Sequence, residues 1–397
     1  MRGICLYLHI HQPWRVRAYS IFDVGVNDNY FFDSNYHSKQ NNERIFRKVA
    51  EKSYCPTFDL LEKNLKEHEG FKFSLSITGI WLEQAEMWMP ELIARLKKMV
   101  ETGRVELVAE TYYHSMSFFY NKDEFKDQVK MQVDIFKKHF GFTPTVFRNT
   151  ELSYNDEIGK AVEELGFKAC LAEGWDRILG WRSPNYVYRA SGTKNLKLLL
   201  KNYRLSDDIA FRFSDKSWKD WPLTVDKYES WLESATYDGD TVNLFMDFET
   251  FGEHQWRETG IFEFMNQLIG SWLSKEDHKF LTVAERAEEK PVGDLSFPWT
   301  VTWADTERDL SAWMGNKLQD EAMTALYDLR EQILAKKDEK LLEDFRRLTT
   351  SDHAYYMCTK YWNDGDVHAY FSAYDSPYDA FMYFLNALRS LEYRLDP

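Results

Sequence analysis

The sequence predicts an α/β barrel of parallel strands followed by a helical region. Three observations carry this. Strand-like segments recur along the first 290 residues. Helical patterns lie between several of them. After a loop marked by Pro291, Gly293 and Pro298 the texture turns helical. Seven or eight strands in one alternating run fit a closed barrel better than an open sheet. In such barrels the chemistry sits where strands end and loops begin.

The first strand spans Ile4–His11. Ile4, Leu6, Leu8 and Ile10 share one face; Cys5, Tyr7, His9 and His11 share the other. Further strands are predicted at Phe71–Thr78, Val105–Glu110, Thr145–Thr150, Lys168–Ala172, Leu196–Leu200, Val242–Phe248 and Lys279–Val283. Helices are predicted over Pro90–Thr102, Asp123–Phe140 and Asn155–Leu165. Each is followed by a glycine (Gly103, Gly141, Gly166), the expected stop signal. Downstream, Thr306 and Asp309 fit a capping box ahead of a stripe of Leu310, Trp313, Met314 and Leu318. Helical blocks follow at Lys337–Leu348 and from Ser376-Pro377 onward. The expected division is a catalytic barrel over 1–290 and a helical region over 291–397 that packs on it and contributes to the cleft. No internal repeat or low-complexity tract is present.

Composition narrows the function. The chain has 397 residues, with 44% hydrophobic and 29% charged, which suits a folded protein with a sizeable core. The net charge of −14 argues against nucleic acid and anionic membrane surfaces as partners. The 16% aromatic content suits a saccharide cleft, where flat rings stack on sugar faces. Cys5, Cys55, Cys170 and Cys358 are scattered and form no CxxC, so four buried thiols in a reducing compartment are expected. The Met1-Arg2-Gly3 start lacks signal-peptide character and no stretch is long enough to span a bilayer, so a cytoplasmic location is expected.

Candidate chemistry lies at predicted strand ends. His9 and His11 close the first strand with Trp14 beyond them; they would bind hydroxyls or a metal. Glu110 and His114 follow the third, where the carboxylate would orient a sugar or fix a histidine tautomer. Arg148 precedes Glu151 by three residues at the fourth, and would keep that carboxylate ionised, as a nucleophile requires. A simple salt bridge is the competing reading. Asp247 and Glu249 share a predicted strand face among phenylalanines, which would raise a carboxyl pKa and suit a general acid; His254 lies beyond. Trp303, in a loop with Asp305 nearby, is a candidate stacking platform, while Asp309 and Trp313 read as helix start and core. No GxGxxG, P-loop, HExxH or GxSxG occurs, so no cofactor is expected.

These strings, in order, resemble glycoside hydrolase family 57. The resemblance rests on His11-Gln12-Pro13, on the run Gly103–Val108, on Arg148-Asn149-Thr150-Glu151, on Met246–His254 and on Trp303–Asn316. It implies a (β/α)7 barrel, retaining chemistry on α-glucans, Glu151 as nucleophile and Asp247 as general acid/base. His11, Glu110, His254 and Trp303 would line sugar subsites. Retention would place the two carboxyl groups about 5–5.5 Å apart. The Asp247–His254 string looks most like the α-amylase members; 4-α-glucanotransferases and branching enzymes share the scaffold. Two rivals stand beside this reading. One is a metal-dependent barrel hydrolase of deacetylase or mannosidase type using His9, His11, His114 and Asp247. The other is a glucan-binding protein without turnover.

Overall fold

In the computed structural model, residues 1–360 and 372–396 are described. The strands are β1 Arg2–Ile10, β2 Phe73–Ile77, β3 Val105–Val108, β4 Val146–Arg148, β5 Ala169–Glu173, β6 Tyr188–Ala190, β7 Lys197–Lys201, β8 Thr241–Asp247, β9 His278–Leu281 and β10 Asp294–Leu295. Each of the eight predicted strands is present, with its ends within two residues of those predicted, and two short ones are added.

Seven parallel strands close the ring. Strands β8, β1, β2 and β3 pair in one sheet, and β4, β5 and β7 in another. A parallel bridge between Ala109 and Phe147 joins β3 to β4. At the other seam the Asn202 N–H donates to the Asn243 carbonyl at 2.9 Å. The sheet is therefore a distorted (β/α)7 barrel. Strand β6 runs antiparallel to β7 outside the ring, and β9 pairs with the N-terminal half of β1. The residues 291–303 remain on the barrel: β10 pairs with β6, and Val301 bridges Tyr154.

The period-2 reading of β1 holds in three dimensions. Ile4, Leu6, Leu8 and Ile10 pack outward against the helices, with Phe58, Trp81 and Leu244. Cys5 and Tyr7 fill the barrel with Val108, Val146, Leu171, Leu199 and Phe245. The same inward row ends, strand by strand, in His9, Glu173, Lys201 and Asp247. The glycine stops are also present. Gly141 takes φ 63° after the helix Lys122–Phe140, a left-handed conformation that costs a residue with a Cβ atom 1–2 kcal/mol, on the order of magnitude.

The C-terminal helices Lys317–Asp328, Arg330–Lys336, Glu339–Leu348, Ser351–Tyr356 and Pro377–Leu395 share one core with Trp14, Val16, Tyr19, Tyr30 and Phe31 from the segment after β1. Residues 361–371 of the predicted helical region lie outside the described residues. Two local expectations are corrected. The capping box is not at Thr306: the helix Ser311–Met314 starts without a side-chain cap, and Asn316 with Gln319 forms the box at the next helix. Cys55 is half-buried rather than buried; all four cysteines are free thiols. Among the described residues, no helix is long and apolar enough to cross a membrane.

A buried charge cluster ties the helical region to the barrel. Glu124 is fully buried and accepts from Arg330 Nε and from Arg346 Nε, each at 2.9 Å. Removing Glu124 leaves the largely buried Arg330 and Arg346 with only the more exposed Asp127 and Glu331 as countercharges. Glu124→Ala is expected to lower the unfolding free energy by about 3–5 kcal/mol. Lys122→Ala, which breaks an exposed pair with Glu157 and a cation–π contact over Phe118, should cost less, about 1 kcal/mol. Denaturant titration of both variants checks this; equal effects would contradict it.

Candidate active site

The barrel mouth opens into a cleft of about 1070 Å³. His9, His11, His114, Glu151, Asp247, Glu249, His254, Trp303 and Asp305 all line it. Nine of the twelve residues singled out from sequence are thus brought together, from five separate segments.

The other three are placed differently. Trp14 does not reach the cleft: it is fully buried, donates its indole N–H to Glu83 Oε2 at 3.0 Å, and lies under the Arg347 guanidinium. Its side chain belongs to the core shared with the C-terminal helices, so the expectation of substrate contact is corrected. Glu110 and Arg148 lie beneath the cleft floor, both fully buried, and are not open to a ligand. They act on the residues above them.

Glu110 is the hub of that lower layer. Its carboxylate faces His9 Nε2 at 3.1 Å, His114 Nδ1 at 2.9 Å and Arg148 Nη1 at 3.3 Å, and accepts from the Ser76 hydroxyl. Burial alone would push its pKa up, but the His9 charge, hydrogen bonds from both histidines and Arg148 hold it well below the carboxylate range. His114 turns its other nitrogen, Nε2, to Glu151 Oε1 at 3.0 Å. Held between two carboxylates, His114 is raised to about 9 despite its burial. His9 turns Nδ1 to Asp247 Oδ1 at 3.4 Å.

Glu151 receives a second hydrogen bond, from Trp303 Nε1–H to Oε2 at 2.8 Å. Burial opposes its ionisation, yet the His114 hydrogen bond and charge, Arg148 and the indole N–H bring it below the usual value. The sequence reading assigned this work to Arg148; His114 does more of it, and Arg148 pairs directly with Glu110. The backbone pays for the placement: Glu151, His114, Asp305 and Arg308 all have φ between 50° and 59° without being glycine. Such conformations cost on the order of 1–3 kcal/mol each and cluster where function over-determines structure.

The expectation for the β8 acids is reversed. The strand ends at Asp247, and Glu249 sits in the following 3-10 turn, Phe248–Thr250, so the two do not share a strand face. Asp247 is lowered: burial raises it, but the hydrogen bond and charge of His9, with His254 and Arg148, outweigh that. Glu249 is the raised acid, at about 8, through burial and the Asp247 charge, with the Tyr54 hydroxyl donating at 2.9 Å.

Several cleft residues escaped the sequence reading. Asp352, on the C-terminal helix Ser351–Tyr356, accepts from His11 Nε2–H at 2.9 Å, while the Thr78 hydroxyl faces His11 Nδ1 at 3.1 Å. Burial and the neighbouring His114 hold His11 neutral, lowered to about 4. Lys201 closes β7, pairs with Asp207 at 2.8 Å and stands over the Trp303 ring. Lys201 follows the same alternation as His9 and could have been found from it; Asp352 has no such signal. At the rim, Trp256 and Phe211 are 56% and 64% exposed and line the cleft.

A parallel barrel whose mouth gathers paired carboxylates, imidazoles and indoles around one open cleft has the construction of a glycoside hydrolase. Comparison with known proteins places it further. The model described as "Glycosyl hydrolase family 57" matches residues 5–296. A Methanocaldococcus jannaschii protein named "Putative alpha-amylase" is 43% identical over 98% of this chain and 84% of its own length. Among solved structures, a GH57-type branching enzyme from Pyrococcus horikoshii superposes with TM-score 0.68 at 14% identity, covering 93% of this chain and 87% of that one. A 4-alpha-glucanotransferase from Thermococcus litoralis gives 0.65 at 17%, covering 89% of this chain but 56% of that one. The chain belongs to glycoside hydrolase family 57.

Glu249 generates a stability prediction. Its folded pKa, about 8, lies above the ordinary 4.5, so the folded state binds the extra proton. Stability from this group is full at low pH and is lost as pH rises from about 4.5 to about 8, at no more than about 1.4 kcal/mol per pH unit. Glu249→Gln should therefore gain stability relative to wild type as pH goes from 5 to 9 in urea titrations. A difference that stays flat with pH would contradict the assignment.

Proposed function

We propose that this protein cleaves α-1,4-linked glucans such as glycogen, starch or maltodextrin with retention of configuration, using Glu151 as nucleophile and Asp247 as general acid/base. One observation carries the reading. Two half-buried carboxylates face one aromatic-lined cleft from opposite sides of the barrel, and each is held by its own buried histidine. The Methanocaldococcus jannaschii relative's name points to the same substrate class.

The chemistry follows from the surroundings of each group. Glu151 is kept ionised by His114 and the Trp303 indole, as attack on an anomeric carbon requires. Asp247 protonates the departing glycosidic oxygen as the C1–O bond breaks and the Glu151–C1 bond forms. Water, or another sugar hydroxyl, then gives its proton to Asp247 and releases the glycosyl group. Trp303 stacks on the reacting sugar while its N–H fixes the nucleophile. His11, His254, Glu249 and Asp305 are placed to meet hydroxyls. The rim rings Trp256 and Phe211 would extend the cleft to further sugar units.

Transfer rather than hydrolysis is the nearest alternative on this scaffold, since water and an acceptor sugar compete for the same glycosyl-enzyme. A metal reading rests on two groupings, His9 with Glu110 and His114, and His11 with His114 and Asp352. It predicts stoichiometric zinc and loss of turnover with EDTA.

Incubation with maltoheptaose tests the proposal. Wild type should yield shorter maltooligosaccharides. Glu151→Gln should lose at least about 10³-fold in kcat, and Asp247→Asn about 10²–10⁴-fold. Longer products beside shorter ones would make it a transferase. An inert wild type would end the α-glucan reading. Separately, Trp256→Ala should raise KM several-fold for long glucans and leave maltotriose turnover nearly unchanged; an equal change for both would remove Trp256 from substrate contact.

A further inference from the structure

We propose that Glu110 is a positioning residue that joins Glu151 and Asp247 into one titrating unit, through an unbroken chain running Glu151–His114–Glu110–His9–Asp247. The inference deepens the catalytic roles proposed above and rests on them. Its geometry is continuous. Glu151 Oε1 meets His114 Nε2 at 3.0 Å, His114 Nδ1 meets Glu110 at 2.9 Å, Glu110 meets His9 Nε2 at 3.1 Å, and His9 Nδ1 meets Asp247 at 3.4 Å. The last contact is the longest, as catalytic hydrogen bonds often are before a substrate seats.

The chain alternates carboxylate and imidazole, so each link has a donor on one side and an acceptor on the other. The three middle members are buried, with His9 only 3% exposed and Glu110 fully enclosed. Water therefore cannot screen one link from the next. The titratable and charged neighbours come from the strands beneath the cleft and from its walls, with Tyr355 and Arg148 facing Glu151. Arg148 from β4 and Tyr7 from β1 face Glu110; His11 and Asp352 face His114. His254, Glu249 and Arg148 face Asp247.

The chain explains how Asp247 serves as an acid although its surroundings favour the anion. The proton it delivers is shared with His9 Nδ1. In the first step the His9 Nδ1–H proton passes to Asp247 Oδ1 and on to the leaving oxygen. His9 is left neutral, still donating Nε2–H to Glu110. In the second step the proton taken from water returns through Asp247 to His9 Nδ1. His114, the cation at the other end, holds Glu151 ionised throughout. Glu110 orients both rings and touches no substrate, so it contributes no reacting atom.

Titration of the histidine nitrogens by ¹⁵N NMR, in the full chain without ligand, tests the coupling. Asp247→Asn should lower the His114 midpoint by roughly half a pH unit, although the two do not touch. In a Glu110→Gln background the same substitution should leave His114 unmoved. If Glu110→Gln does not fold, His9→Gln interrupts the chain one link on and must abolish the same cross-effect. A shift that persists in the interrupted chain, or no shift in the first place, overturns the proposal. A kinetic arm reads the other direction: His114→Gln should move both limbs of the kcat/KM pH profile upward, including the basic limb set by the proton shared between Asp247 and His9. Loss of rate with only the acid limb displaced would contradict the coupling and leave a local role for His114. The NMR arm needs no substrate, so a wild type inert on glucans would end the saccharide reading while the coupling stood or fell separately.

Discussion

The site depends on one buried anion. A carboxylate sealed inside a barrel is costly unless every oxygen is met. Glu110 is met by a hydroxyl from β2, an imidazole from β1, an imidazole from the loop after β3 and a guanidinium from β4. Those contacts fix two histidine rings, and each ring uses its other nitrogen to hold one cleft carboxylate, Glu151 or Asp247. The spacing of the two cleft carboxylates is thus set from below, by side chains that rise largely from the strands. The left-handed backbone at His114 and Glu151 is the strain accepted to reach those partners.

The same device recurs at the junction with the helical region. Glu124 is a second enclosed carboxylate, met by Arg330 and Arg346 from two C-terminal helices. Docking those helices brings Asp352 against His11 and lines the cleft with Tyr355 and Tyr356. It also buries Trp14 under Arg347. The barrel alone would carry the acids, but one wall of the cleft and the tautomer of His11 come from the last third of the chain.

Much of this was legible in the sequence because barrels obey short-range rules. Alternation in β1 separates inward His9 from outward Ile10, and strand ends point to Glu151 and Asp247. The same alternation in β5 and β7 marks Glu173 and Lys201. What sequence spacing could not supply is contact across the ring. Trp14 is three residues from His11 yet turns away into the helical core, because Glu83 and Arg347 offer its indole a partner there. Asp352 lies 341 residues from the histidine it binds. The directions of the Asp247 and Glu249 pKa shifts are reversed from a reading of apolar neighbours alone, since an imidazole, His9, faces one acid while a like charge, a phenol and backbone N–H groups face the other.

The central claim is that Glu151 forms the bond to the sugar. Its most direct test is mass spectrometry of peptides from the Asp247→Asn variant after reaction with a maltosyl fluoride. That substrate needs little acid assistance to form the glycosyl-enzyme, and the variant resolves it slowly. The account predicts a maltosyl adduct on the peptide bearing Glu151, at that side chain. An adduct on another carboxylate, or turnover of the fluoride with inverted configuration and no adduct, would contradict it.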